Sequence, residues 1–271
     1  MSDEQIFNIS HTKLSTFRRC RQQYHWKYKL KFYPPASMGQ ARGSAGHAAL
    51  ASWHVEYDAQ KAMQAAWDQW DDSGYGEGDD WGLLERALLR YFPWSQENDS
   101  FKIITAEYKF EIEYETLPIL FLGFIDGVVT EADRIWLLEN KFNKRVSTKN
   151  LELDAQATLY LLAIQNLGKT VDGVIYNIIR IGDTKVAEKE PAVRVRLHRN
   201  KAGLSYVQHE VLRQAEEMLK YEREGGQPYR NPTRDCSWDC SYYQACLSMQ
   251  DDGIEPLEIL ESIANTRKGT E

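Results

Sequence analysis

The chain contains little cysteine, four residues in 271, and no apolar run of the ~18 residues that a membrane-spanning helix requires. No membrane is expected among its partners. The opening MSDEQIFNIS lacks the basic-then-apolar layout of a secretory leader. A cytoplasmic, reducing location is therefore expected, where cysteines serve as thiols or metal ligands rather than as disulfides. Internal repeats and low-complexity stretches are absent. With 42% hydrophobic and 27% charged residues, the composition excludes a disordered tail or a fibre. Acidic residues are missing altogether between Glu4 and Glu56, whereas Lys13, Arg18, Arg19, Arg21, Lys27, Lys29, Lys31 and Arg42 fall there. From Glu56 to Glu115 fifteen acidic residues face five basic ones. A net charge of -7 thus averages over a segregated surface, and a basic face on an acidic protein can still meet a polyanion. A second basic island follows at Lys141, Lys144, Arg145 and Lys149.

Periodicity gives a mixed α/β order. A helix is expected from Thr12 to about Lys31, with Leu14, Phe17, Tyr24 and Tyr28 near one face and Pro34-Pro35 beyond its end. One or two helices follow over 43–70, then a polar glycine-rich loop over 71–80 and a short helix over 81–91. The period then changes to two. Strands are expected over 103–114, 119–130 and 134–142, the last two joined tightly enough for a hairpin. A helix over 151–167 closed by Gly168, strands over 171–181 and 192–198, and a long amphipathic helix over 204–224 complete the core. The expectation is a single domain over residues 1–271: a helical part (10–95), a sheet core (100–200), a helix with a cysteine-rich segment (201–250), and a tail.

Ala163–Thr170 (AIQNLGKT) satisfies a loose phosphate-loop pattern. A phosphate loop must follow a strand and open a helix, and here that order is inverted. Gly168 and Lys169 read instead as a helix C-terminus with a favourable cation, so the chain carries no motor of its own.

The middle of the sheet carries the chemistry. Phe121–Thr130 places one carboxylate, Asp126, in an otherwise apolar strand, and the next strand carries Glu139 and Lys141. Residues two apart on a strand share a face, and a hairpin brings Asp126 beside them. Ionisable groups on an apolar face are costly without a compensating cation or substrate. Two carboxylates suit a hard divalent cation, and the lysine could orient or deprotonate an attacking water or offset charge on a phosphate. Asp, about a dozen residues, then Glu-x-Lys is the pattern of the PD-(D/E)XK nuclease superfamily. The following helix presents Gln156 and Tyr160 four apart on one face.

Cys236, Cys240 and Cys246 cluster, while Cys20 lies far away in the basic first helix. Four such cysteines could make a zinc site, an iron–sulfur site, or unrelated thiols. The one-plus-three placement, with the preceding motifs in order, resembles the RecB-like branch of that superfamily, including the CRISPR-associated RecB-type exonucleases and the AddB nuclease domain. In that group one cysteine sits in an N-terminal helix and three follow the nuclease core. Gly43-Ser44-Ala45-Gly46-His47 resembles its Gly-x-x-x-His motif.

The resemblance spans about residues 10–250. It implies a restriction-endonuclease-like mixed sheet with helical N-terminal additions, whose C-terminal cysteine-rich segment closes a 4Fe-4S cluster on Cys20, Cys236, Cys240 and Cys246. It implies a metal-dependent exonuclease acting on single-stranded DNA or DNA ends, with His47, Asp126, Glu139 and the Asn140 carbonyl holding Mn²⁺ or Mg²⁺. Lys141, Gln156 and Tyr160 would complete the catalytic set. Arg18, Arg19, Arg21 and Tyr24, with Trp26, would form a DNA rim on the first helix. A helicase or a recombination or adaptation protein would supply any unwinding. Glu107, on the first strand, is a further acidic candidate. The sequence departs from the family in having three residues between Cys236 and Cys240, where two are common, and Phe142, where Thr or Ser is common. The alternative is a DNA-end-binding or recombination accessory protein that keeps the fold with little catalysis.

Overall fold

The computed structural model describes residues 6–114, 116–168, 170–250 and 255–265. The chain divides into two compact units, a core unit (Ser37–His209) and a terminal unit built from both chain ends (Met1–Ala36 and Glu210–Glu271).

In the terminal unit β1 (Phe7–Ile9) leads into α1 (His11–Arg19), α2 (Arg21–Tyr24) and a π-helical turn (His25–Lys29). Ser10 caps α1 by accepting from the Lys13 N–H at 3.2 Å. The single helix expected over 12–31 is broken at Cys20, which is extended at φ -161° and ψ 118°. Cys20 closes α1 by donating its N–H to the Thr16 carbonyl and opens α2 by accepting from the Tyr24 N–H, each at 3.0 Å. The break is bridged as well by the Gln22 N–H, which donates to the Tyr229 carbonyl at 3.1 Å.

The core unit opens with three helices, α3 (Met38–Glu56), α4 (Ala59–Asp71) and α5 (Asp79–Asn98). Ser37 and Gln40 form a reciprocal capping box, which starts α3 five residues before the sequence suggested. Tyr57 in the left-handed region (φ 52°) ends α3, and Asp58 caps α4. The small face of α3 (Ala41, Ala45, Ala49) lets it pack closely on Leu84, Leu88, Tyr91 and Phe92 of α5. Phe92 and Trp94 join the same cluster, which carries α5 through Pro93 and beyond the expected end at 91.

The strands are β2 (Lys102–Tyr114), β3 (Ile119–Glu131) and β4 (Arg134–Asn143), then, after a 3₁₀ turn (Leu151–Leu153) and α6 (Ala155–Asn166), β5 (Gly173–Arg180), the short α7 (Lys185–Lys189) and β6 (Ala192–His198). Within the unit they run β2-β3-β4-β5-β6. Every pairing is antiparallel except β4 with β5, which are parallel and joined through α6 as such a crossover requires. β5 is buried along almost its whole length, as a strand covered on both faces must be. Gly168 has φ +76°, the left-handed residue expected after a helix; Lys169 lies outside the described residues. α8 (Lys201–Glu224) follows, and α9 (Cys236–Asp239), α10 (Tyr243–Ser248) and α11 (Pro256–Asn265) belong to the terminal unit. Among the described residues no helix is long and apolar enough to cross a membrane.

Candidate active site

The register of the sheet assembles the charged residues. Ala106 pairs with Gly127 and Tyr108 with Ile125, which sets Glu107 level with Asp126. Gly127 pairs with Leu138, so the next residues outward, Asp126 and Glu139, are also level. A register shift between Ile103 and Thr105 precedes this pairing, and Glu107 itself is in the left-handed region at φ 48°. His47, Glu107 and Asp126 each offer a ligand atom, and these atoms lie within 4.8 Å of one another.

Hydrogen bonds fix the cluster. His47 Nδ1 lies 3.1 Å from Asp126 Oδ1, and the Asn140 N–H donates to Asp126 Oδ2 at 2.6 Å. Burial opposes charge on His47, but the hydrogen bond to Asp126 and the fields of Asp126, Glu139 and Glu107 outweigh it and raise its pKa. Glu139 is 6% exposed. Burial, then the neighbouring Asp126 charge, pushes its carboxyl up to about 7 against the opposing pull of Lys141. Glu107 is raised by burial and by Asp126. A site in which Glu107, Glu139 and the His47 imidazole hold protons more tightly than usual has room for the positive charge that a divalent cation would supply.

Lys141 Nζ sits 3.1 Å from Glu139 Oε1 and 3.2 Å from Asp154 Oδ2. Burial favours its neutral form, but the two carboxylates prevail and raise its pKa, so Lys141 is an ammonium at neutral pH. Asp154 does two jobs. Oδ1 caps α6 by accepting from the Gln156 and Ala157 N–H groups at 3.0 and 3.3 Å, while Oδ2 holds the lysine. Sequence reasoning missed Asp154, although an acidic residue two before Gln156 at a helix start was a visible N-cap signal. One turn into α6, Gln156 Nε2 donates to the Tyr160 hydroxyl at 3.2 Å, and Tyr160 packs edge-on against Phe110.

Asn140 points its side chain to the opposite sheet face. Asn177, its register partner on β5, donates to Asn140 Oδ1 at 2.8 Å and to the Tyr91 hydroxyl at 2.9 Å. Arg194 donates to that hydroxyl at 3.2 Å and pairs with Asp99, whose carboxyl burial pushes up to about 6.

In the terminal unit Cys20, Cys236, Cys240 and Cys246 line one cavity of about 100 Å³. None forms a disulfide. Burial raises the pKa of the Cys240 and Cys246 thiols. The two chain ends are tied around the cavity: Asn231 donates to the Arg19 carbonyl at 2.9 Å, Arg230 to the Cys246 carbonyl at 3.1 Å, and Arg19 pairs with Asp239 at 2.9 Å.

The DNA rim expected on the first helix is not a free surface. Tyr24 is fully buried and its hydroxyl donates to Glu222 at 2.6 Å. Trp26 is buried against Tyr242. Neither can stack on a base. Arg19 is held by Asp239, and Arg21 pairs with Glu217 and lies over the Phe17 ring. Arg18 stays exposed.

Carboxylates, an imidazole and an ammonium thus converge at one end of the sheet, a donor set whose chemistry suits a hard divalent cation. The chain belongs to the PD-(D/E)XK nuclease superfamily, whose family model matches residues 8–247. Its fold is similar to that of a candidate exonuclease from Eubacterium rectale, with a TM-score of 0.55 at 13% identity over 91% of this chain and 94% of that one. A looser likeness, TM-score 0.39 at 12% identity over 93% and 88% of the two chains, is to SSO0001. No curated protein sequence matches the chain.

Proposed function

We propose that the protein is a divalent-metal-dependent exonuclease on single-stranded DNA or DNA ends, of the RecB-like branch, with a structural 4Fe-4S cluster. The observation that carries this reading is the level placement of Asp126 and Glu139 with Lys141 clamped beside them. His47, Asp126, Glu139 and the Asn140 carbonyl would hold Mn²⁺ or Mg²⁺, with Glu107 within reach; the imidazole nitrogen favours Mn²⁺. Such an ion supplies Lewis acidity toward a phosphodiester. Lys141, kept protonated by Glu139 and Asp154, stabilises negative charge on the attacked phosphate and orients the attacking water. Gln156 and Tyr160 form one polar edge that positions the strand. The four-cysteine cavity fits an iron–sulfur cluster by donor number and type. That cluster would hold the chain ends together and take no part in hydrolysis.

The test is digestion of 5′- and 3′-labelled single strands with Mn²⁺, Mg²⁺ or EDTA. Nucleotide release with metal alone, reduced at least about a hundredfold by Glu139→Ala or Lys141→Ala in folded protein, is the expected result. Unchanged cleavage in either variant removes that residue from the mechanism. No metal-dependent release from any strand overturns the assignment.

A further inference from the structure

β4 ends at Asn143, and residues 144–150 pass to the 3₁₀ turn. A cleft of about 610 Å³ opens there, lined by Lys141, Ser147, Asn150, Leu151, Leu153 and Asp154. Its floor is therefore the lysine and its clamp. Lys144, Arg145 and Lys149 are all exposed on the same short segment. Among the described residues none of their side chains has a carboxylate partner, whereas Arg86, Arg90, Arg180 and Arg196 of this unit are each ion-paired. Glu152 is the one exposed acid in the stretch, leaving three positive charges against one. At the lip Leu153 is 84% exposed. That apolar side chain stands in water on a hydrogen-bonded turn at the edge of the cleft, where it can meet an apolar part of a ligand.

We propose that residues 144–153 are the strand-guiding element of this nuclease. Lys144, Arg145 and Lys149 contact successive phosphates of a DNA strand entering the cleft, and Leu153 packs against a base or sugar next to the phosphate presented to Lys141. This rests on the nuclease reading and assigns its substrate path. It replaces the first-helix rim, whose aromatic residues are buried. Three phosphate contacts carry a defined signature. Each contributes about 0.7 to the slope of log affinity against log salt for a single strand, so the three together contribute about 2. An apolar contact contributes affinity and no slope.

The experiment is fluorescence anisotropy of a 5′-fluorescein oligothymidylate in EDTA, titrated with the full chain from low to moderate salt. The triple variant Lys144→Ala/Arg145→Ala/Lys149→Ala is expected to bind at least about tenfold more weakly at low salt, with a slope shallower by about 2. Leu153→Ala is expected to weaken binding with the slope unchanged. All four side chains are exposed, so thermal unfolding and Mn²⁺ binding should match the parent protein and show that the variants fold. Parent-like affinity and slope in the triple variant, while the parent cleaves DNA, overturn the strand path and leave the nuclease reading intact. A parent protein that neither binds nor cleaves the strand overturns both.

Discussion

Gly46 precedes the candidate ligand His47, and its missing side chain is a measurable requirement. A Cβ there would lie 2.4, 2.6 and 2.7 Å from three ring atoms of Phe142, all closer than the 3.0 Å that Cβ contacts respect. The ring cannot simply withdraw. It packs against the α3–α5 cluster and meets the His47 imidazole edge-on at 5.7 Å. Gly46→Ala therefore forces a clash worth about 1–3 kcal/mol. It also gains about 0.5–1 kcal/mol, because glycine is a poor residue inside a helix. The net expectation is a loss of about 1–2 kcal/mol. In a Phe142→Ala background the clash is gone and only the helix gain remains, so the same substitution should stabilise by about 0.5–1 kcal/mol. The sign of one substitution should reverse with the state of a residue 96 positions away. Guanidinium denaturation followed by circular dichroism, with unchanged slopes, completes the double-mutant cycle. Mn²⁺ titration of Gly46→Ala should show weakened binding as His47 is displaced. An equal cost for Gly46→Ala in both backgrounds would refute the close approach as the reason for glycine.

With Glu139 pushed up to about 7, cation binding should be proton-coupled: the metal-free carboxyl is mostly protonated at pH 6 and mostly ionised at pH 8. Calorimetry of Mn²⁺ binding in buffers of different ionisation enthalpy should show that release at pH 6, increased by His47, and little at pH 8. Glu139→Gln should remove the Glu139 share, and a pH-independent release would refute the assignment. The same shift has a stability sign. Glu139 is raised in the fold, so its contribution is present below the ordinary carboxylate range and is lost as pH rises through about 7. In EDTA the parent should lose stability over that window, and Glu139→Gln should lose less, the remainder belonging to His47 and Glu107. Asp154→Asn keeps a good helix cap but removes the carboxylate beside Lys141; stability should change by under about 0.5 kcal/mol while cleavage falls roughly tenfold, and loss of both in proportion would mean a purely structural role. Cys20→Ser should abolish the visible absorbance and iron content of anaerobically prepared protein and lower its thermal stability, and a colourless parent binding zinc at the same cysteines would remove the iron–sulfur assignment.

The core of this fold was legible because its signals are local. Successive side chains of a strand point to opposite faces, so Glu139 and Lys141 could be placed together from spacing alone, and the sheet register sets Asp126 level with Glu139. Boundaries depended on caps that a periodicity reading passes over, such as the Ser37–Gln40 box and the extended Cys20. Most of the first-helix rim is occupied for a different reason. Arg21 and Tyr24 read as an exposed basic and aromatic strip, yet their partners, Glu217 and Glu222, lie almost 200 residues later in the same compact unit. No window on the sequence carries that information.

Least legible was the support behind the site. Asn140 sits between the two residues that carry the chemistry, and alternation sends its side chain away from them into the buried interior. There an amide is costly unless hydrogen-bonded, and Asn177 meets it from the neighbouring parallel strand at the same level. Asn177 is held in turn by Tyr91 from α5, and Tyr91 by the Arg194–Asp99 pair. The pattern Glu-x-Lys treats the middle residue as free, but here that residue is clamped on both counts. Its N–H is spent on Asp126 and its side chain on β5. Fixing the middle residue fixes the direction in which its two neighbours project. A sheet face that must hold several partly repelling groups in one geometry is thus set from behind, by polar contacts that no spacing rule on the strand reveals.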